Sequence, residues 1–250
     1  MDFIIEKMLG FALVLTRLSA FVIMLPVFNW KIIPVRIKIA MTILLSIFFS
    51  MIFPFNIDTK SIPPLEAMLM MINEAIYGLA LGLVINIVFS TVRFAGNIVE
   101  RQMGLGIIQA INPMTGKRAR ALATLWEVIF IMLFLAANGH HLFLLVISRS
   151  YDTFPAGTIP TIPALLEGVT KSGSIMFIAG LRIAAPILAA FILMTIVLAI
   201  LARIVPEMNI LFISLTIRTG LGLLMAVIFL PFINTFVGEF ADWMGKILPL

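Results

Sequence analysis

Five ionisable side chains, Arg17, Glu74, Glu127, Arg182 and Arg218, fall inside otherwise apolar stretches of this sequence. A charge near the centre of a membrane helix costs about 3 kcal/mol on insertion scales. Each Leu, Ile, Phe or Val returns about 0.5 kcal/mol, so a segment with about fifteen of them still inserts with one charge aboard. Charges in nearly every segment are a different matter, because their faces must be covered by protein. Either acids and bases pair within one bundle, or several pair with other subunits. The remaining polar groups offer little catalysis. His140 and His141 are adjacent, and neighbours on a helix point about 100° apart, a poor arrangement for holding one metal. There is no His-Glu-x-x-His, no glycine-rich phosphate loop, and no aspartate pair suited to an intramembrane phosphotransferase. Serine and histidine lack a third partner. The absence of cysteine excludes disulfides and thiolate chemistry. The residues point away from an enzyme, and no catalytic, metal-ligating or cofactor-binding residue is assigned.

The stretch "GLGIIQAINPMTGKRARA", residues 104–121, is too irregular for a spanning helix and too apolar for an ordinary loop. Gly104 and Gly106 permit sharp backbone paths. Ile107, Ile108 and Ile111 run into Asn112-Pro113, a strong turn signal, followed by Met114, Thr115 and Gly116. Lys117, Arg118 and Arg120 mark a return to polar surroundings. On the residues alone, the plain reading is a cytoplasmic turn with flanking positive charge.

The elements that position these groups are membrane helices. Of 250 residues, 62% are hydrophobic and 12% charged, with mean hydropathy +1.18. A soluble domain carries roughly 25% charged residues, so this chain cannot coat a water-soluble globule. About 20 apolar residues cross the hydrocarbon. Five stretches qualify, about 8–28, 39–57, 65–92, 122–148 and 174–201, with a sixth at about 210–237. Residues 94–111 are marginal, being short and carrying Glu100, Arg101 and Gln102. The expected fold is all-α, a single membrane domain over 1–250 with about six to seven hydrophobic helical segments. Prolines 34, 54, 63, 64, 206 and 231 should mark helix ends or bends. The Pro- and Gly-rich connection 149–173 reads as an ordered loop or short surface helix. The N-terminus is a poor signal peptide, with an acidic start and Arg17 breaking its apolar core, and is expected to remain as the first span. Lys31, Arg36 and Lys38 after the first span, and Arg93, Arg101, Lys117, Arg118 and Arg120 after the third, put those connections in the cytoplasm by the positive-inside rule.

Gly78 and Gly82 carry the small-x-x-x-small spacing that lets two helix backbones approach. Gly220, Gly222 and Ala184, Ala185, Ala189 and Ala190 extend that theme. A self-contained secondary transporter would use broken helices and buried charges near the midplane. The segments around Arg182/Pro186 and Arg218/Gly220 could be read so, but the first half has no matching broken segments.

The run "LARIVPEMNILFISLTIRTGLGLL", residues 201–224, resembles a signature of the FliR family, membrane proteins of the flagellar type III export apparatus. Ala202, Arg203, Pro206 and Asn209 match it, and Glu207 stands where Gln is usual. The similarity continues in "TRLSAFVIMLPVFNWKIIPVRIKIAMTILLS", with Ala20 where Gly is frequent, and in "NEAIYGLALGL". It extends through "FAGNIVERQMGLGIIQAINPMTG" and "LFLAANGHHLFLLVISRSYDTFPAG", whose Asn-Gly-His is typical of the flagellar branch. The virulence-secretion branch is the near alternative. The resemblance implies a non-enzymatic subunit, without cofactor, in a multi-pass bacterial inner-membrane complex of the flagellar basal body. FliP and FliQ would complete the export pore, with FlhB and FlhA as neighbours and unfolded flagellar proteins as cargo. It also implies that the 104–116 stretch enters and plugs the channel, where isoleucines make a dry constriction and Met114 reseals around a passing chain. Arg17, Glu74, Gly78, Gly82, Arg203, Pro206, Glu207, Asn209 and Arg218 are assigned to helix packing or subunit contacts.

Overall fold

The computed structural model describes residues 2–28, 33–53, 63–104, 121–158, 162–207 and 210–247. Among them are eight α-helices and no strand: α1 (Asp2–Met24), α2 (Val35–Ile52), α3 (Pro64–Gln102), α4 (Ala121–Ala136), α5 (His140–Thr153), α6 (Ile162–Ile204), α7 (Ile210–Ile228) and α8 (Leu230–Ile247). The protein is an all-α membrane protein. Four of these helices are long and apolar enough to cross a membrane, and up to six spans result if each bent pair, α4 with α5 and α7 with α8, counts as one.

Several boundaries differ from those expected. The marginal 94–102 stretch is the last part of α3, one continuous helix of 39 residues. Glu100 is buried there, while Arg101 and Gln102 lie exposed in the final turn. Charges at a helix end do not interrupt it once one face is packed. The 149–173 connection is largely helical: α5 continues to Thr153 and α6 starts at Ile162. The expected 122–148 span is broken at 137–139, where Asn138 sits at φ 59°. That left-handed conformation suits asparagine better than most residues and ends the α4 ladder. Proline marks other ends as anticipated. Pro34 caps α2, Pro64 opens α3, and Pro206 follows α6.

The chain packs as two compact units, one of residues 1–88, 138–174 and 240–250, the other of 89–137 and 175–239. In the first, α1 lies on the opening half of α3. The buried face of α1 recurs every three or four residues, through Val14, Leu18 and Phe21, and Leu25 just past its end continues it, the spacing of one helix stripe. A Cβ on Gly78 would collide with the Arg17 carbonyl oxygen, and one on Gly82 would come within 2.6 Å of Met24 Cβ. The two backbones therefore approach as closely as glycine allows. Asn86 Nδ2 donates to the Met24 carbonyl at 2.7 Å, satisfying one of the acceptors that a helix end leaves open.

The second unit has an aromatic centre. Trp126, Phe130 and Phe134 of α4 are fully buried, and Phe89 meets Phe130 and Phe134 edge-on at 5.1 and 5.0 Å. Such edge-to-face pairs add about 0.5–1.5 kcal/mol each beyond their area. Glycines again set the close crossings. A Cβ on Gly96 would fall 2.7 Å from Ala123 Cα, and one on Gly180 2.6 Å from a Phe94 ring carbon.

Candidate functional site

In the first unit α1 places Arg17, α3 places Glu74 and Tyr77, and α5 with the turn after it places Ser150, Tyr151, Phe154 and Gly157. Both charged side chains are 1% exposed. Arg17 Nε donates to Glu74 Oε2 at 2.5 Å and Nη2 to Oε1 at 3.1 Å, a bidentate fork. Nη1 reaches the Ser150 carbonyl at 3.2 Å and Oγ at 3.3 Å, and Nη2 also donates to the Phe154 carbonyl at 3.0 Å. Glu74 Oε1 accepts a further bond from the Gly157 N–H at 2.8 Å. The guanidinium carbon lies 4.2 Å from the centre of the Tyr151 ring and 4.7 Å from that of Tyr77, both within cation–π range.

This arrangement is a clasp. A buried charge is tolerated when it is paired and its remaining hydrogen-bonding capacity is spent, and here fork, carbonyls and amide spend it. The guanidinium is the suitable cation because its planar fork binds carboxylate and stacks on aromatic rings together. A carboxylate so occupied has no free lone pair facing water, so the geometry offers cohesion between α1, α3 and α5. The Ser150 and Phe154 carbonyls lie at the C-terminal end of α5, where unsatisfied acceptors and the helix dipole both favour a cation. Among the described residues no group of three or more His, Cys, Asp or Glu could hold a metal. His140 and His141 are exposed at the start of α5 with ring centres 4.3 Å apart.

The other singled-out charges lie in the second unit. Glu127 is 3.5 Å from Arg93, and Arg182 is 3.9 Å from Glu239 in an exposed pair. Arg218, mid-way along α7, donates from Nη2 to Thr195 Oγ1 at 3.3 Å, while its buried Nε meets no acceptor among the described residues. Arg203 sits in the last turn of α6, exposed, with Pro206 and Glu207 exposed after it. Asn209 lies outside the described residues. So do Gly106, Ile107, Ile108, Ile111, Asn112, Pro113, Met114 and Gly116. Gly104 is described. Its φ of 77° and its N–H bond to the Arg101 carbonyl at 3.2 Å end α3, a left-handed helix stop that glycine adopts without penalty. Met103, fully buried just before it, fills the space where a Gly222 side chain would stand.

Residues 8–243 match the family model described as bacterial export proteins, family 1. The chain belongs to this family. Similar proteins are called flagellar biosynthetic protein FliR. That of Bacillus subtilis is 29% identical over 91% of this chain and 88% of its own length. That of Pectobacterium carotovorum is 28% identical over 93% and 90%, and that of Escherichia coli K12 26% identical over 94% and 90%. The family match spans both Arg17 and Glu74, so the clasp lies within the family's own region. Sequence reasoning named both charged residues without pairing them, and missed the other members of the clasp. Tyr77 was detectable, standing one helical turn after Glu74 on the same face. The carbonyls of Ser150 and Phe154 and the amide of Gly157 carry no sequence signal, because every residue has such groups.

Proposed function

We propose that this chain is a membrane subunit of the flagellar type III export apparatus, contributing to the wall and the plug of its protein-conducting channel. The observation that carries the reading is the family match over nearly the whole chain, joined by relatives of almost equal length named as flagellar biosynthetic proteins. Two physical features support it. First, α3 and α6 hold 39 and 43 residues, about twice what a crossing needs, as suits helices packed on other subunits as well as on lipid. Second, α6 and α7 present long apolar faces, among them Ile192, Ile196, Ile200, Leu223 and Val227, each more than half exposed. Arg218 and the open Gly220 lie on the same α7.

In this reading FliP- and FliQ-like subunits complete the pore and FlhB- and FlhA-like proteins adjoin it, in the inner membrane at the flagellar basal body. The cargo is unfolded flagellar protein. Residues 104–116 form the plug, with its apolar side chains excluding ions while no cargo passes. Arg203, Pro206, Glu207, Asn209 and Arg218 contact neighbouring subunits. Native mass spectrometry of the chain, extracted gently from its own membrane, tests the assembly. One large complex with those partners is expected, and a monomer or homodimer without them refutes the reading. Deleting Asn112–Gly116 tests the plug: assembly should persist while the closed channel leaks small ions. Intact assembly with an ion-tight membrane would remove the plug from the proposal.

A further inference from the structure

A groove of about 560 Å³ opens between α1 and α2 in the first unit, within the range of about 300–1,000 Å³ usual for small-molecule sites. Its walls are apolar, with Leu15 and Val22 from α1 facing Ile39 and Ile43 from α2. The hydroxyls along it offer a ligand little. Thr16 donates to the Ala12 carbonyl, Ser19 to that of Thr16, and Thr42 to that of Lys38. One charged side chain lines the groove, Lys38, and no carboxylate among the described residues pairs with it. Arg36 stands exposed in the same first turn of α2.

We propose that this groove binds one acyl chain of an anionic phospholipid, with Lys38 at the phosphate and Arg36 adding to the local positive field. Charge decides between a lipid and a partner helix. The one charged wall residue, Lys38, which no described carboxylate pairs with, stands at one end of the groove with apolar walls running away from it, as a phosphate above an acyl chain requires. From Val35 to Ile43 the groove follows α2 for about 12 Å at 1.5 Å per residue, close to the thickness of one hydrocarbon leaflet, about 15 Å. The charge stands at the end of α2 that joins the basic α1–α2 connection, where a headgroup lies, and the apolar walls run from there toward the bilayer centre. Ile23, Val35 and Ile39, which line the groove, are 67%, 67% and 54% exposed, so an acyl chain has apolar surface to cover. Basic pockets between membrane helices on the cytoplasmic side are suited to such headgroups, and the positive-inside rule places this connection there.

The test is native mass spectrometry of the full chain, with whatever subunits co-purify, after exchange into phosphatidylglycerol or phosphatidylcholine of equal chain length. Retention of phosphatidylglycerol should exceed that of phosphatidylcholine by about fivefold, the value of one cationic contact near a membrane surface. Lys38→Gln should remove that preference and Lys38→Arg should keep it. Ser19→Phe, which fills the groove, should reduce both lipids. A benzophenone side chain at Ile39 should crosslink lipid in the native membrane. Equal retention of both lipids, an unchanged preference in Lys38→Gln, or crosslinking of Ile39 to another protein chain overturns the proposal.

Discussion

At the scale of single residues, the Arg17–Glu74 clasp dominates the first unit. Truncating either partner strands a charge in a site sealed from water, which costs about 3–5 kcal/mol. Arg17→Ala and Glu74→Ala should each lower the unfolding midpoint of the detergent-solubilised chain strongly. Arg17→Met combined with Glu74→Leu should lose much less than the sum of the single changes, since no unpaired charge remains. An additive double mutant would show that the two act separately. Tyr151 supplies a sharper contrast. Its ring stacks on the guanidinium, but its buried hydroxyl has no hydrogen-bond partner among the described residues. Tyr151→Phe should therefore be neutral or slightly stabilising, as removing an unsatisfied polar atom usually is. Tyr151→Ala should lose the cation–π contact, about 2 kcal/mol when desolvated, together with its packing against Phe49 and Phe53.

Between elements, glycine sets how closely helices approach. At Gly78 an added methyl meets the backbone carbonyl of Arg17, which cannot rotate away as a side chain would. Gly78→Ala should therefore destabilise the solubilised chain by about 1–3 kcal/mol of overpacking, exceeding the gain in helix propensity of about 1 kcal/mol. It would also displace Arg17 from its fork. Gly220 gives the opposite expectation, because nothing lies within 4 Å of a Cβ there. In the solubilised chain Gly220→Ala should raise the unfolding midpoint, by up to about 1 kcal/mol of helix propensity. If both changes shift the midpoint equally, close approach does not explain the first.

The whole molecule carries more apolar surface than its own folding covers. Met51, Leu65, Ile204 and Phe212 are each at least two-thirds exposed, and patches of this kind mark lipid or partner contact. The half-paired Arg218 belongs to the same account. If it meets a carboxylate on a neighbouring subunit, Arg218→Leu should leave the isolated chain as stable as before and reduce recovery of the large complex several-fold. Equal recovery of complex would place Arg218 outside the interface. The long helices fit such a division between lipid and protein neighbours, since neither α3 nor α6 matches a single bilayer thickness.

Composition and the length of the apolar stretches alone determined that this is an all-α membrane protein, because both are local properties of the sequence. The costly charges, the Gly78/Gly82 spacing and the prolines at helix ends were readable for the same reason. Only the tertiary structure decided which charge meets which. Arg17 finds Glu74 57 residues away and the carbonyls of Ser150 and Phe154 133 and 137 residues away, and no spacing rule spans such distances. It also decided that 94–102 continues α3 while 137–139 breaks the expected fourth span. Propensity is weak at both places, and packing on one side and a left-handed asparagine on the other settle them. A buried ion pair forms only where several elements converge to replace water, and that convergence is a property of the fold.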